Sequence, residues 1–136
     1  MERKVIFKNS YRLTIILLLF LSFSSNSTAQ SIEGIWFTEK DEAKVHIYKN
    51  NSGLYEGKLI WTEEKSERTE KALGIIVLKD AKKINDKKYE GIAFLPQTNK
   101  EYNCIVTVKN KNELDLRGYV GIPAFGKTTR WTRTKE

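Results

Sequence analysis

From Gly34-Ile35-Trp36 to Trp131-Thr132-Arg133, apolar and polar residues alternate with a period of two almost without interruption. Strands put successive side chains on opposite faces, so this pattern predicts half-buried β-strands and leaves no place for an amphipathic helix. Ala43, Val45 and Ile47 alternate with Lys44, His46 and Tyr48; Asn50-Asn51-Ser52-Gly53 then makes a turn, since Asn and Gly accept positive φ at low cost. The next strand sets Tyr55, Gly57, Leu59 and Trp61 on one face and Glu56, Lys58 and Ile60 on the other. Lys109-Asn110-Lys111-Asn112 is a second turn, between strands at residues 101–108 and 113–121. In the latter, Leu114, Leu116 and Val120 share one face, and Asp115, Arg117 and Tyr119 the other. Further strands are expected at residues 35–38, 75–78, 89–95 and 128–132, which brings the number to eight. The charged segment 62–71 has no apolar stripe and reads as a solvated loop with at most a helical turn.

The residues ahead of this pattern are of another kind. Arg3, Lys4, Lys8 and Arg12 form a basic head, residues 13–23 are apolar, and small side chains follow at Ser27-Thr28-Ala29. This is the three-part pattern of a secretory signal peptide over residues 1–29, with residues 30–136 as a single exported domain that begins at Gln30. An apolar run of about 11 residues falls short of the roughly 20 that a transmembrane helix needs, so no span is expected after cleavage. The leader takes four basic residues and one acidic residue with it, leaving 20 basic against 16 acidic in 107 residues. The remaining charges are interspersed, as in Glu63-Glu64-Lys65-Ser66-Glu67-Arg68, which argues for a mixed soluble surface and against a nucleic-acid site.

Eight antiparallel strands have an edge problem that closing the sheet removes, so the expected fold is all-β: a short eight-stranded antiparallel barrel, with an open β-sandwich as the alternative. With about 13 residues per strand and connection, each strand has about 7 residues and rises about 23 Å. A barrel of that size is expected to hold a small or partly filled cavity. The tryptophan bracket then acquires a role in closure. Gly34 brings the backbone close, Trp36 plugs one end, and Arg133 (or Arg130) from the last strand lies over the indole, with Trp131 in the same bracket. A Gly-x-Trp in the first strand with a terminal arginine resembles the structural signature of the lipocalin and calycin superfamily.

Several motifs narrow the resemblance. They are Ala43-Lys44-Val45-His46-Ile47-Tyr48 with Leu54-Tyr55-Glu56-Gly57-Lys58-Leu59-Ile60-Trp61, then Gly91-Ile92-Ala93-Phe94-Leu95-Pro96 with Asn99-Lys100-Glu101-Tyr102. Leu114-Asp115-Leu116-Arg117-Gly118-Tyr119 and Phe125-Gly126-Lys127-Thr128-Thr129-Arg130-Trp131-Thr132-Arg133 complete the set. In this order they are similar to the bacterial domain-of-unknown-function family numbered 2147. The resemblance implies a small exported bacterial protein with a lipocalin-like barrel, in the periplasm of a Gram-negative cell or secreted. It implies no activity. Tyr89 stands where the family commonly has a Trp.

Residues with chemistry are few. His46 is the single histidine and lies on a polar strand face, so neither a multi-histidine metal site nor a triad is expected; metal and cofactor are both read as none. Cys104 is the single cysteine, alternates with apolar neighbours, and is expected buried and inert. No spacing selects a carboxylate pair, and the chain reads as a non-enzyme. A binding role rests on strand aromatics and one charge: Tyr55, Trp61, Tyr102 and Tyr119, with Arg117. If Arg117 faces inward, its buried guanidinium calls for an anion; if outward, it is a solvated surface residue, as the alternation favours. The leading expectation is therefore a barrel that binds a small amphipathic or anionic ligand. An envelope protein-interaction module is the second, and a cell-envelope hydrolase the third.

Overall fold

The computed structural model describes residues 30–135. The expected signal peptide, residues 1–29, lies outside the described residues. Eight strands run β1 (Gly34–Phe37), β2 (Ala43–Lys49), β3 (Tyr55–Thr62), β4 (Ile76–Lys83), β5 (Lys88–Leu95), β6 (Lys100–Asn110), β7 (Glu113–Tyr119) and β8 (Lys127–Arg133). Each pairs antiparallel with the next, and β8 pairs with β1, so the sheet closes into a barrel. The open sandwich is thereby excluded.

The alternation fixes which residues face inward. Trp36, Val45, Ile47, Leu59, Leu78, Tyr89, Cys104, Val106, Val108 and Leu114 are buried in one cluster, and Lys44, His46, Glu56 and Lys58 lie outside it. Several register shifts interrupt the strand pairing, and two of these bulges correct the reading of the strands. Along β2–β3, Lys44 faces Trp61 while the next residue, Val45, faces Leu59, so β3 carries Ile60 as an extra residue. One extra residue reverses the faces beyond it. Trp61 therefore leaves the face it was expected to share with Leu59, and Thr62 takes the inward position opposite Ala43. Along β4–β5, the partners step from Lys79 to Lys82 but only from Ile92 to Glu90, with Asp80 at φ 49°. That bulge turns both Leu78 and Ala81 inward and extends β4 through the charged stretch Asp80–Lys83, well past the expected end at residue 78. It also makes Gly91 obligatory, since a Cβ there would meet the Lys79 carbonyl oxygen at 2.7 Å.

Segment 62–71 is more ordered than the expected loop. Ser66 caps a helix, α1 (Glu67–Ala72): its hydroxyl accepts from Thr69 N, and Thr69 Oγ1 accepts from Ser66 N at 2.9 Å. The reciprocal pair is a capping box with Thr in the place usually held by Glu. No side chain of α1 is fully buried; the helix is held by its cap and by Ala72, which packs against the core.

Candidate functional site

The two ends of the barrel differ in the size of their inward side chains. At the end where the β2–β3, β4–β5 and β6–β7 hairpins turn, the interior holds Trp36, Ile47, Tyr55, Tyr89, Val108 and Leu114, with Ile32 laid across it. Tyr55 meets Tyr89 edge to face at 5.2 Å between ring centroids, so the tyrosine at position 89 packs in the core. The expected closure by Trp36 and Arg133 is visible in geometry. The Arg133 guanidinium carbon lies 4.2 Å from the Trp36 ring centroid, and Trp36 Nε1 donates to the Ile32 carbonyl at 2.9 Å. Arg133 donates from Nε to Lys111 O, from Nη1 to Glu33 O and from Nη2 to Ser31 O, at 2.6, 2.6 and 2.8 Å. Burial holds its pKa below the usual guanidinium value. Gly34, at φ 131°, leaves the space this needs, because a Cβ would stand 2.5 Å from Arg133 Nη1.

Trp131 does not belong to that closure. It precedes Arg133 by two residues on the same face, which puts it one layer up the barrel, opposite Leu114 and on the wall of a cavity. Arg130 lies outside, with Nε 2.9 Å from Asp115 Oδ1, and that pairing holds the Asp115 carboxyl below its usual pKa.

The other end is open. Its inward positions carry small side chains, Ala43, Thr62, Ala93, Gly118 and Thr129, and the cavity there has a volume of about 1240 Å³. That space runs from the barrel interior past the strand ends into the open mouth, while the opposite end of the barrel is filled. Two features shape it. Small residues leave the upper barrel unfilled, and the four connections above it, including α1, build the wall beyond the ends of the strands. Deep in the cavity the walls are Val45, Leu59, Val77, Ala93, Leu116 and Trp131; around its mouth stand Glu39, Lys40, Glu42, Glu63, Glu64, Arg68, Lys71 and Lys127. Gly118 opens directly onto the space, since a Cβ there would meet nothing nearer than Tyr102 Cβ at 3.9 Å.

Of the five residues singled out for a ligand, Tyr102 and Tyr119 line this cavity. Three do not. Tyr55 belongs to the packed end, beside Tyr89. Trp61, displaced by the β3 bulge, lies on the outer surface with Phe37 at 6.3 Å and the Lys44 and Lys65 ammonium groups at 5.3 and 4.8 Å from its ring. Arg117 is also outside, as the alternation favours. Its Nε and Nη2 donate to the Pro123 and Ala124 carbonyls at 2.7 and 3.3 Å, and Nη1 to Thr128 Oγ1 at 2.8 Å. The cavity residues the sequence reading missed are aliphatic or small: Ala43, Val45, Leu59, Val77, Ala93 and Leu116. A signal for them was present, because small residues are concentrated at the inward positions of the open end.

Cys104 is buried at mid-barrel between Gly91 and Gly118, where desolvation pushes its thiol up to about 12. Among the described residues, no three His, Cys, Asp or Glu side chains gather as a metal site.

The solved structure of protein HP1028 from the human pathogen Helicobacter pylori, described as belonging to the lipocalin family, is similar to this barrel. The TM-score is 0.66 at 22% identity, with 78% of this chain and 84% of that one covered. At that identity the likeness establishes a shared lipocalin-type fold. No curated protein matches the sequence. Residues 34–133, from the first strand to the Arg133 clamp, match the family described as "Uncharacterized protein conserved in bacteria (DUF2147)", and the chain belongs to that family.

Proposed function

We propose that this protein is an exported, non-catalytic barrel that binds one small amphipathic molecule, tail inward, through its open end. One observation carries the reading: a cavity of about 1240 Å³ whose depth is aliphatic and aromatic and whose mouth alone is charged. Eight-stranded barrels have the diameter to hold one small ligand, and pockets of this type combine apolar walls with a few polar groups that set orientation. An apolar chain in the depth would leave its polar head among the mouth charges. Four acidic and four basic side chains stand there, and the one arginine considered as an internal anion partner is directed elsewhere. The amphipathic class is thus favoured over a purely anionic ligand. Export to the periplasm or beyond rests on the leader pattern in residues 1–29, and processing would begin the protein at Gln30.

Native mass spectrometry of protein purified from its host tests the reading, together with titration by a fluorescent fatty-acid probe. The expected result is one bound molecule per barrel, and loss of probe binding by at least about tenfold in Gly118→Phe, whose ring would occupy the cavity, at unchanged thermal midpoint. Absence of both a co-purified mass and probe binding, or full binding by the blocked variant, contradicts it. The mass of the purified chain also reports whether residues 1–29 have been removed.

A further inference from the structure

The mouth has two unlike lips. One is the β7–β8 connection, where Val120, Ile122 and Phe125 are 71%, 55% and 83% exposed; Leu95, at the end of β5, also borders the mouth. The other comprises residues 38–42 and 63–72, with seven acidic and four basic side chains. In the apolar lip and the strand ends beside it the balance reverses: residues 91–100 and 116–135 contain no Asp or Glu, and Arg117 and Lys127 flank the β7–β8 connection.

The apolar lip is built, not slack. A 3₁₀ turn at Pro123–Phe125 is closed by Phe125 N to Ile122 O at 3.2 Å and Gly126 N to Pro123 O at 3.1 Å. The Arg117 guanidinium holds it from outside by two of its carbonyls, and Gly126 passes so close to β7 that a Cβ would meet Gly118 O at 2.6 Å. None of the turn's side chains is buried, so the latch keeps apolar groups facing outward.

From this we infer that the apolar lip docks the barrel, mouth first, on an anionic lipid surface. Exposed apolar side chains flanked by cations are the composition that enters the boundary between headgroup and acyl chain, and each basic residue near such a surface strengthens binding about fivefold. The acidic lip across the mouth would be repelled, which fixes the side on which the barrel leans. A second copy of the chain fits less well. Four partly exposed side chains supply at most a few hundred Å², against roughly 800 Å² per partner in a standard interface. This inference goes beyond the cavity reading and does not require that the cavity be filled.

The test is co-sedimentation of the protein, as purified from its host, with two kinds of vesicle. One contains phosphatidylethanolamine with phosphatidylglycerol, the other phosphatidylcholine alone. Ile122 is exposed and does not line the cavity. Ile122→Asp is therefore expected to weaken partition to the anionic vesicles by about tenfold or more while leaving probe binding in the cavity intact. Gly118→Phe is expected to do the reverse. Lys127→Glu, which keeps the apolar side chains, is expected to weaken anionic binding at least about fivefold. Equal partition of wild type and Ile122→Asp overturns the inference, as does equal binding to both vesicle types. A concentration-dependent dimer that Ile122→Asp abolishes also overturns it, in favour of a second copy as the occupant.

Discussion

Arg133 and Arg117 lie on adjacent strands at opposite ends of one barrel, and each gives its guanidinium to backbone carbonyls. What they fasten differs. Arg133 ties residues 31–33 across the buried Trp36 indole and so seals an interior filled with large side chains. Arg117 ties a solvent-facing turn with no buried side chain beside an open cavity. The same hydrogen-bond chemistry thus stabilises the fold at one end and shapes an opening at the other, because stability comes mostly from the apolar area beneath the clamp. The sealed end should carry most of the folding free energy. The open end should tolerate change and govern what the protein touches.

The largest expected effect lies in the sealed end. Trp36→Ala removes a fully buried indole and should cost about 3–5 kcal/mol, read by urea unfolding. An equal loss from Trp131→Ala would argue against the division, since one face of that indole already borders the cavity. Next, Arg133→Ala should cost about 2–3 kcal/mol through the lost cation–π contact and charged hydrogen bonds, with Arg133→Lys intermediate because it keeps the charge and loses the fork. Arg117→Ala should cost only about 0.5–1 kcal/mol, yet speed hydrogen exchange at the Phe125 and Gly126 amides.

Cys104 marks the boundary between the two regions. Its thiol is raised in the folded state from 9.0 to about 12, so the unfolded chain loses this proton first as the pH rises. The contribution to stability is therefore complete below about pH 9 and declines toward pH 12, by at most about 1.4 kcal/mol per pH unit. Cys104→Ala should flatten that decline, and the native thiol should resist alkylation at pH 8 although the mouth is open. The smallest effect is expected outside the wall. The Asp115–Arg130 pair is half solvated, so Arg130→Ala should lower stability least of these substitutions, and less still as the pH falls through the lowered Asp115 pKa and the carboxylate is protonated.

These regions were unequally legible in the sequence. Period-two alternation gave the eight strands, and the Gly34, Trp36 and Arg133 positions gave the closure, because each is a local pattern with one physical meaning. Bulges leave no such pattern. Nothing in Leu59-Ile60-Trp61-Thr62 announces an extra residue, so the face of Trp61 was read in reverse. The charged Asp80–Lys83 tail of β4 lacks the alternation of a half-buried strand, since beyond the bulge only Ala81 turns inward. Arg117 could be placed on the outer face from alternation, but its partners are carbonyls, which no side-chain pattern encodes. Strand length alone does not tell which end of the barrel is filled; side-chain volume does. Ala43, Ala93, Gly118 and Thr129 at one end, against Trp36, Tyr55 and Tyr89 at the other, set its position.

Native-state hydrogen exchange across the whole barrel tests the division of the two ends most directly. The Val108 and Arg133 amides, bonded to Lys87 O and Asn112 O at 2.7 and 2.8 Å, belong to the sealed end; the Glu70 and Gly126 amides, bonded to Ser66 O and Pro123 O at 2.9 and 3.1 Å, belong to the mouth. The first pair is expected to exchange only through global unfolding, with the full denaturant dependence, and the second through local opening several kcal/mol lower, on the order of half the global value. Equal protection at both ends, or earlier opening at Val108 and Arg133, would contradict it.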